Sequence, residues 1–255
     1  MAKRYWFSRS RRHSAERPFD AVPITIKIIG VAALGVHIAC QALQPPLRAR
    51  AEDLAPPPPP AMLRLASLGE PTGVAQLLTL YLQAFDNQPG VSIPYKDLDY
   101  VRVSGWLASI LAVDPKGQYP LLMAAQLYGQ VPVPGKQRLM LELIYRQFFA
   151  DPDRRWPWLA HASTMARHRL NDLPLALKYA DAIANFAPAA PSWARQMRIF
   201  LLEDMGEVVR ARILLGALLS SGAVTDPHES AFLIQRLQAM ESAEKSTLKD
   251  EKSAN

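Results

Sequence analysis

The chain has 255 residues, 49% of them hydrophobic, which is enough for one domain of ordinary size with an anchor and tails. Its single cysteine, Cys40, excludes an internal disulfide. The formal net charge is +6, but most of the excess lies within residues 1–27, before and at the edge of an apolar segment. A nucleic-acid-binding domain carries its positive charge on the folded surface, so this distribution argues against that class.

The basic residues 1–20 precede an apolar segment over residues 21–43. A spanning helix needs about 20 mostly apolar residues, which this segment supplies if Lys27 extends its amine toward the headgroups and His37 is accommodated. The positive-inside rule keeps the basic flank in the cytoplasm. We therefore predict a cytoplasmic tail, a single-pass signal anchor over 21–43 in the inner membrane of a bacterium, and a periplasmic location for the rest.

Other interpretations of the N-terminus stay open. The short apolar core fits a cleaved signal peptide, although no A-x-A site follows it. A lipoprotein signal is suggested by Cys40 preceded by alanine, but His37 stands where that motif has a leucine-like residue. Both of these also place the main domain outside the cytoplasm. The arginine and serine content of residues 1–20 resembles a mitochondrial presequence, against which Glu16 and Asp20 count.

Two further segments have a distinctive composition. Residues 44–60 form a proline-rich linker, and consecutive prolines favour an extended polyproline II spacer that would lift the domain off the bilayer. Residues 241–255 have mixed charges, no aromatic side chain and one leucine. Such a segment buries too little apolar surface to order itself, so we predict a disordered tail from about residue 243.

The region between them, residues 61–240, repeats. Pro115, Pro152 and Pro188 are separated by 37 and 36 residues, and each lies between an apolar helical run and an aromatic residue. A fixed period of this size with two helical runs indicates an array of helix pairs. The predicted pairs are 72–87 with 97–113, 119–128 with 136–150, 155–170 with 174–187 and 192–205 with 207–221, closed by a helix over 226–240.

Residues 115–223 resemble tetratricopeptide repeats (TPR). That family has an aromatic residue early in its first helix, small residues where paired helices touch and a proline turn after its second helix. The matching residues are Trp156, Leu159, Ala160, Ala176 and Pro188 in one repeat and Ala211 in the next. The resemblance implies an all-α fold of stacked antiparallel helix pairs, a TPR-like α-solenoid, after one N-terminal transmembrane helix.

The resemblance also implies a binding surface, because the first helices of such repeats line a groove that binds peptides. The positions that correspond to the family's groove positions are Tyr128, Arg154, His161, Met165 and Arg198. This mixture of aromatic and basic side chains predicts an extended or helical peptide ligand with some acidic character.

Motifs for catalysis or phosphate binding are missing from the sequence, which contains no G-x-G-x-x-G, no G-x-x-x-x-G-K-[ST] and no H-E-x-x-H. We therefore expect no enzymatic activity, no cofactor, no metal ion, no small-molecule substrate and no nucleic-acid partner. The expected function is a membrane-anchored scaffold or assembly factor of the bacterial envelope, whose partners are other envelope or membrane proteins and the lipid bilayer. A structural subunit of a larger membrane complex is the alternative, followed by an exported helical enzyme.

The interpretations of the N-terminus predict different mature proteins. We expect the intact mass of the purified protein to include residues 1–43, because a signal anchor is retained. A mass that begins after residue 43 would contradict the anchor. A mass that begins at Cys40 with added lipid would replace the anchor with a lipoprotein attachment.

Overall fold

The computed structural model describes residues 22–43 and 51–254, with side chains described as far as residue 242. Within these ranges the chain forms eleven α-helices and one two-stranded hairpin, which confirms the all-α prediction. It divides into two compact units, residues 1–49 and residues 50–255. The predicted basic tail over 1–20 lies outside the described residues.

The first unit contains one described helix, α1 (Ile24–Leu43), within the predicted segment 21–43. With 20 residues, this helix is long and apolar enough to cross a membrane, and none of its residues is buried in the protein. A signal sequence has the same features, and the intact mass separates it from a retained anchor. The orientation of α1 in the inner membrane stays a prediction.

The second unit contains a helix at each predicted position of the repeats, with ends within a few residues of the predicted ones except for α5, which is shorter, and α11, which is longer. The helices are α2 (Pro60–Ala66), α3 (Pro71–Ala84), α4 (Tyr100–Val113), α5 (Tyr119–Leu122), α6 (Pro134–Phe148), α7 (Pro152–His168), α8 (Leu173–Phe186), α9 (Ser192–Asp204), α10 (Val208–Ser220) and α11 (Pro227–Ala254). The short α2 and the hairpin of β1 (Asn87–Gln88) with β2 (Val91–Ser92) are additions to the predicted set.

Local sequence determines where these helices begin and end. The side chain of Asp172 accepts a hydrogen bond from the backbone of α8, and Asp226 does the same for α11. Asn171, Gly206 and Gly222 follow helix ends and have positive φ angles of 50°, 77° and 66°. This left-handed conformation suits glycine and asparagine, which explains the tight turns between paired helices.

Side-chain contacts follow the period of the prolines. Consecutive long helices pack against each other, and many contacts join residues 36 or 37 positions apart. They include Glu142 with Lys178, Phe149 with Phe186, Asp153 with Ala189, Trp156 with Trp193 and Arg167 with Asp204. Equivalent positions of neighbouring helix pairs therefore meet, whereas the TPR-like solenoid arrangement stays a prediction.

The guanidinium of Arg155 joins three segments inside the stack. Arg155 is only 1% exposed. It donates hydrogen bonds to the carbonyl of Gln147 at the end of α6 and, over 2.7 Å, to the carbonyl of Pro115 before α5. Burial lowers the pKa of Arg155, and the nearby carboxylate of Asp151 opposes that shift.

The proline-rich segment is not a free spacer along its whole length. Residues 44–50 lie outside the described residues, but residues 51–59 pack on α4. Leu54 is 2% exposed and its carbonyl accepts a hydrogen bond from Arg102, while the carbonyl of Ala55 accepts one from the indole of Trp106 over 2.7 Å. An extended chain leaves its carbonyls without internal partners, so these two α4 side chains can bind it.

The last helix, α11, continues into the segment that was predicted to be disordered, as far as Ala254, rather than ending near residue 240. The sequence of this segment is rich in alanine, glutamate and lysine, whose high helix propensity favours such an extension.

Arg155 and its neighbour Arg154 form a matched pair for a stability test. Replacing buried Arg155 with methionine removes its hydrogen bonds to the carbonyls of Gln147 and Pro115, so we expect the free energy of unfolding to fall by about 1–3 kcal/mol. Arg154 is half exposed and only pairs with Asp151, so Arg154→Met is expected to change it by less than about 0.5 kcal/mol. Denaturation of the detergent-solubilised full chain measures both, and equal losses would contradict the role of Arg155.

Candidate functional site

Tyr128 was predicted to line a groove, but the structure places it in the core. It is fully buried, its hydroxyl donates to the carbonyl of Leu82 over 3.3 Å, and its own carbonyl accepts from the hydroxyl of Tyr100 over 3.0 Å. The rings of Tyr95 and Tyr100 meet its ring edge to face. Tyr128 therefore joins helices to one another and cannot contact a ligand.

The reason lies in the backbone before Tyr128. The prediction assumed a regular helix over 119–128, whereas the chain leaves α5 in a π-helical turn over Met123–Leu127 and a 3₁₀ turn over Tyr128–Gln130. A π turn inserts an extra residue, which rotates every following side chain about the helix axis. The backbone passes close to itself at Gly129, where a Cβ would lie 2.6 Å from the carbonyl oxygen of Ala124. This position therefore requires glycine.

Met165 is likewise a core residue rather than a groove residue. It is 4% exposed, and its sulfur lies 3.7 Å from the side-chain nitrogen of Gln130. The remaining three predicted residues keep surface exposure, but each has a different setting. Arg154 pairs with Asp151 over 2.9 Å at the start of α7.

Arg198 lines a different pocket from the one that contains His161. It lines a pocket between α8, α9 and α10, 3.8 Å from the carboxylate of Asp181. Burial raises the pKa of Asp181, and the charge of Arg198 opposes that shift. Arg198 therefore pairs with Asp181 on α8, and it does not line the pocket that contains His161.

His161 does line an open cleft, which we call the His161 cleft. It has a volume of about 300 Å³ and lies between α7 and α9. Its lining residues are Trp156, Pro157, Ala160, His161, Thr164 and Trp193. The two indole rings meet edge to face with centroids 5.5 Å apart. Nε2 of His161 is buried without a hydrogen-bond partner among the described residues, so this atom is not presented to the open space of the cleft.

A larger cleft was missed by the sequence analysis, and we call it the α3 cleft. It encloses about 520 Å³ between α3, the end of α4 and the start of α5. Its lining residues are Thr72, Ala75, Gln76, Thr79, Leu80, Gln83, Ile110, Asp114, Gly117, Tyr119 and Pro120. The amide of Gln83 donates a 2.6 Å hydrogen bond to the hydroxyl of Tyr119 and so joins its two walls.

Helix α3 exposes apolar side chains both in the α3 cleft and outside it. Leu80 is 60% exposed and lines it, while Leu77 and Tyr81 on the same helix are 67% and 44% exposed. The signal for this surface was present in the sequence. Helix α3 is apolar on more of its circumference than one packing partner can bury, which indicates a second contact surface.

The chemistry of the two clefts suits recognition of apolar groups. The walls are mainly aliphatic or aromatic, and amide and hydroxyl groups at the rim can orient a bound chain. Among the described residues, no group of three histidine, cysteine, aspartate or glutamate side chains could hold a metal ion.

Comparison with known proteins adds no assignment. No protein-family model, no curated protein and no solved structure matches this chain. The function is therefore argued from the geometry of the clefts and from the composition of α1.

The buried tyrosine cluster predicts the response of the fold to alkali. Burial, with a smaller contribution from Tyr95, raises the pKa of Tyr100 to about 12, and burial also raises the pKa of Tyr128. An unfolded tyrosine ionises near its ordinary pKa of 10.0. The stabilisation from the neutral phenols is therefore complete below pH 10 and is lost as the pH rises toward about 12.

We expect circular dichroism to show unfolding in that pH window, together with the phenolate absorbance of the buried tyrosines. Complete tyrosine ionisation below the window with the helices intact would contradict the buried cluster.

Proposed function

We propose that this protein is a non-catalytic, membrane-anchored scaffold or assembly factor of the bacterial envelope. The anchor is α1, and the second unit binds another envelope or membrane protein. The observation that carries the proposal is the α3 cleft, an open and mainly apolar cavity of about 520 Å³ whose wall includes Leu80, a leucine that is 60% exposed. An exposed apolar cavity of this kind is typical of interaction sites in soluble domains.

The shape of the α3 cleft favours a helical or extended peptide segment as the ligand. On α3, Gln76, Leu80 and Gln83 follow one another at intervals of four and three residues, so they share one side of the helix. A ligand side chain that enters the cleft contacts Leu80, while the two amides can bond to its backbone. Recognition of a segment by one apolar anchor and a polar rim is common in helix-in-groove binding.

The proposal includes a TPR-like arrangement, in which first helices line one face and second helices lie behind them. Contacts between successive first helices support it. They are Gln83 with Tyr119, Gln118 with Trp158, Trp156 with Trp193 and Phe200 with Phe232. Both the α3 cleft and the His161 cleft involve these first helices, so a long segment could bind along one face.

A structural subunit of a larger membrane complex is the second candidate. The polar side chains of His37 and Gln41 within α1 favour it, because polar groups in a spanning helix usually face other protein. Purification in detergent distinguishes the candidates. A structural subunit stays bound to its complex in fixed stoichiometry, whereas a scaffold with regulated clients does not.

Photo-crosslinking from the α3 cleft tests the proposal. A photoreactive amino acid replaces Leu80, or Ile213 on α10 as the matched control, since the two positions are 60% and 61% exposed. In intact cells we expect Leu80 to give discrete crosslinks to one or a few envelope proteins, and Ile213 to give none of these. Identical patterns from both positions would contradict a specific site at α3.

A charge substitution gives the corresponding binding test. Leu80→Glu places a carboxylate in an apolar cleft and should weaken binding of the crosslinked partner about tenfold or more. Ile213→Glu introduces the same charge at equal exposure and should leave binding unchanged. Circular dichroism must show the same helix content for both variants, because both positions lie on the surface.

A further inference from the structure

The long polar side chains of α1, which are those of Lys27, His37 and Gln41, lie on one side of the helix. Five residues of α1 follow one another at intervals of three, four, three and four positions. In chain order they are Lys27, Gly30, Leu34, His37 and Gln41. This heptad spacing places all five along one stripe of a helix, and we call the stripe the seam. The seam includes the only charged residue of α1 and both of its long neutral polar side chains.

Apart from Thr25 in the first turn, the opposite face of α1 is apolar. It consists of Ile28, Ile29, Ala32, Gly35, Val36 and Ala39. In a helix that faces lipid on every side, the polar side chains are not expected to share one stripe. The segregation indicates that the apolar face meets lipid and that the seam meets protein.

His37 and Gln41 need partners in a bilayer. Both side chains are exposed, and neither has a hydrogen-bond partner among the described residues. An unpaired amide or imidazole in hydrocarbon is costly, because no water replaces the missing hydrogen bond. Gly30 leaves room for an approaching helix, since a methyl group placed on it would meet nothing within 4 Å.

We infer that the seam binds the seam of a second copy of this chain, so that α1 forms a parallel homodimer. The inference rests on the proposed function, because it requires α1 to span a membrane. The three-four spacing of the seam is the spacing that packs two helices at a shallow left-handed crossing.

Self-complementary chemistry selects a second copy as the partner. Two identical chains insert with the same orientation, so each seam residue lies at the same depth as its counterpart. The amide of Gln41 and the neutral imidazole of His37 each carry both a donor and an acceptor, so each can bond to its own counterpart. A carboxylate-bearing partner is not required, because Lys27 lies in the first turn and can extend its amine to the headgroups.

Dimerisation would change how the proposed scaffold binds. Each assembly would carry two copies of the α3 cleft and would bind a divalent or dimeric partner with increased avidity. The seam thus links an oligomeric state in the membrane with the number of binding sites outside it.

Cysteine crosslinking in isolated membranes tests the homodimer with the full-length chain. Cys40→Ala removes the natural thiol, and a single cysteine then replaces Leu34 in the seam or Val36 on the opposite face. The two positions are close in depth and both apolar. After mild oxidation we expect a disulfide-linked dimer from Leu34→Cys and little or none from Val36→Cys.

The contribution of the polar groups is measured with His37→Leu and Gln41→Leu in the Leu34→Cys chain. We expect the association constant to fall by about three- to thirtyfold for each hydrogen bond lost. Leucine makes α1 more apolar, so the chain must stay in the membrane fraction. Ile28→Leu with Ile29→Leu is the control and should leave dimer formation unchanged.

Three outcomes would overturn the homodimer. Equal crosslinking from Leu34→Cys and Val36→Cys would indicate random collision, and no crosslink from a chain in the membrane fraction would indicate a monomer. A Leu34→Cys product with the mass of a different protein would assign the seam to another partner. Recovery of the chain in the soluble fraction would instead contradict the proposed function, so the two failures are distinguishable.

Discussion

The buried guanidinium of Arg155 is the interaction on which the middle of the stack depends. Arg155 lies in the first turn of α7 and donates hydrogen bonds to the carbonyl of Gln147 at the end of α6 and to the carbonyl of Pro115 before α5. The carbonyl of Gln147 also accepts a hydrogen bond from the backbone N–H of Ala150 over 3.3 Å, so Arg155 adds a second donor at that helix end. One side chain therefore joins the start of α7 to the end of α6 and to the turn before α5.

The sequence predicted the helices well because their signals are local. Proline turns, apolar runs and left-handed residues such as Gly206 determine helix ends without reference to the rest of the chain. The orientation of individual side chains was harder to predict. Tyr128 and Met165 were assigned to a groove by counting from the turn prolines, but the π turn over Met123–Leu127 rotates Tyr128 into the core. His161 lines a cleft between α7 and α9, and its role in a binding groove stays a prediction.

The structure differs from the sequence-based predictions in two other places, the proline-rich segment and the α3 cleft. Both differences arise because the composition of a segment does not show which residues pack against it. The proline-rich residues 51–59 lack a hydrophobic pattern, yet Arg102 and Trp106 supply the donors that hold them. The α3 cleft was missed because α3 precedes the first turn proline from which groove positions were counted. An apolar surface around most of α3 was the available signal.

The proposed function depends on where the second unit lies, so the most direct measurement is protease accessibility in intact spheroplasts. The account predicts that added protease digests the repeat domain while a cytoplasmic protein stays intact, and that an N-terminal fragment containing α1 remains in the membrane. A domain that is digested only after the membrane is lysed would lie in the cytoplasm. That result would contradict an envelope scaffold outside the inner membrane.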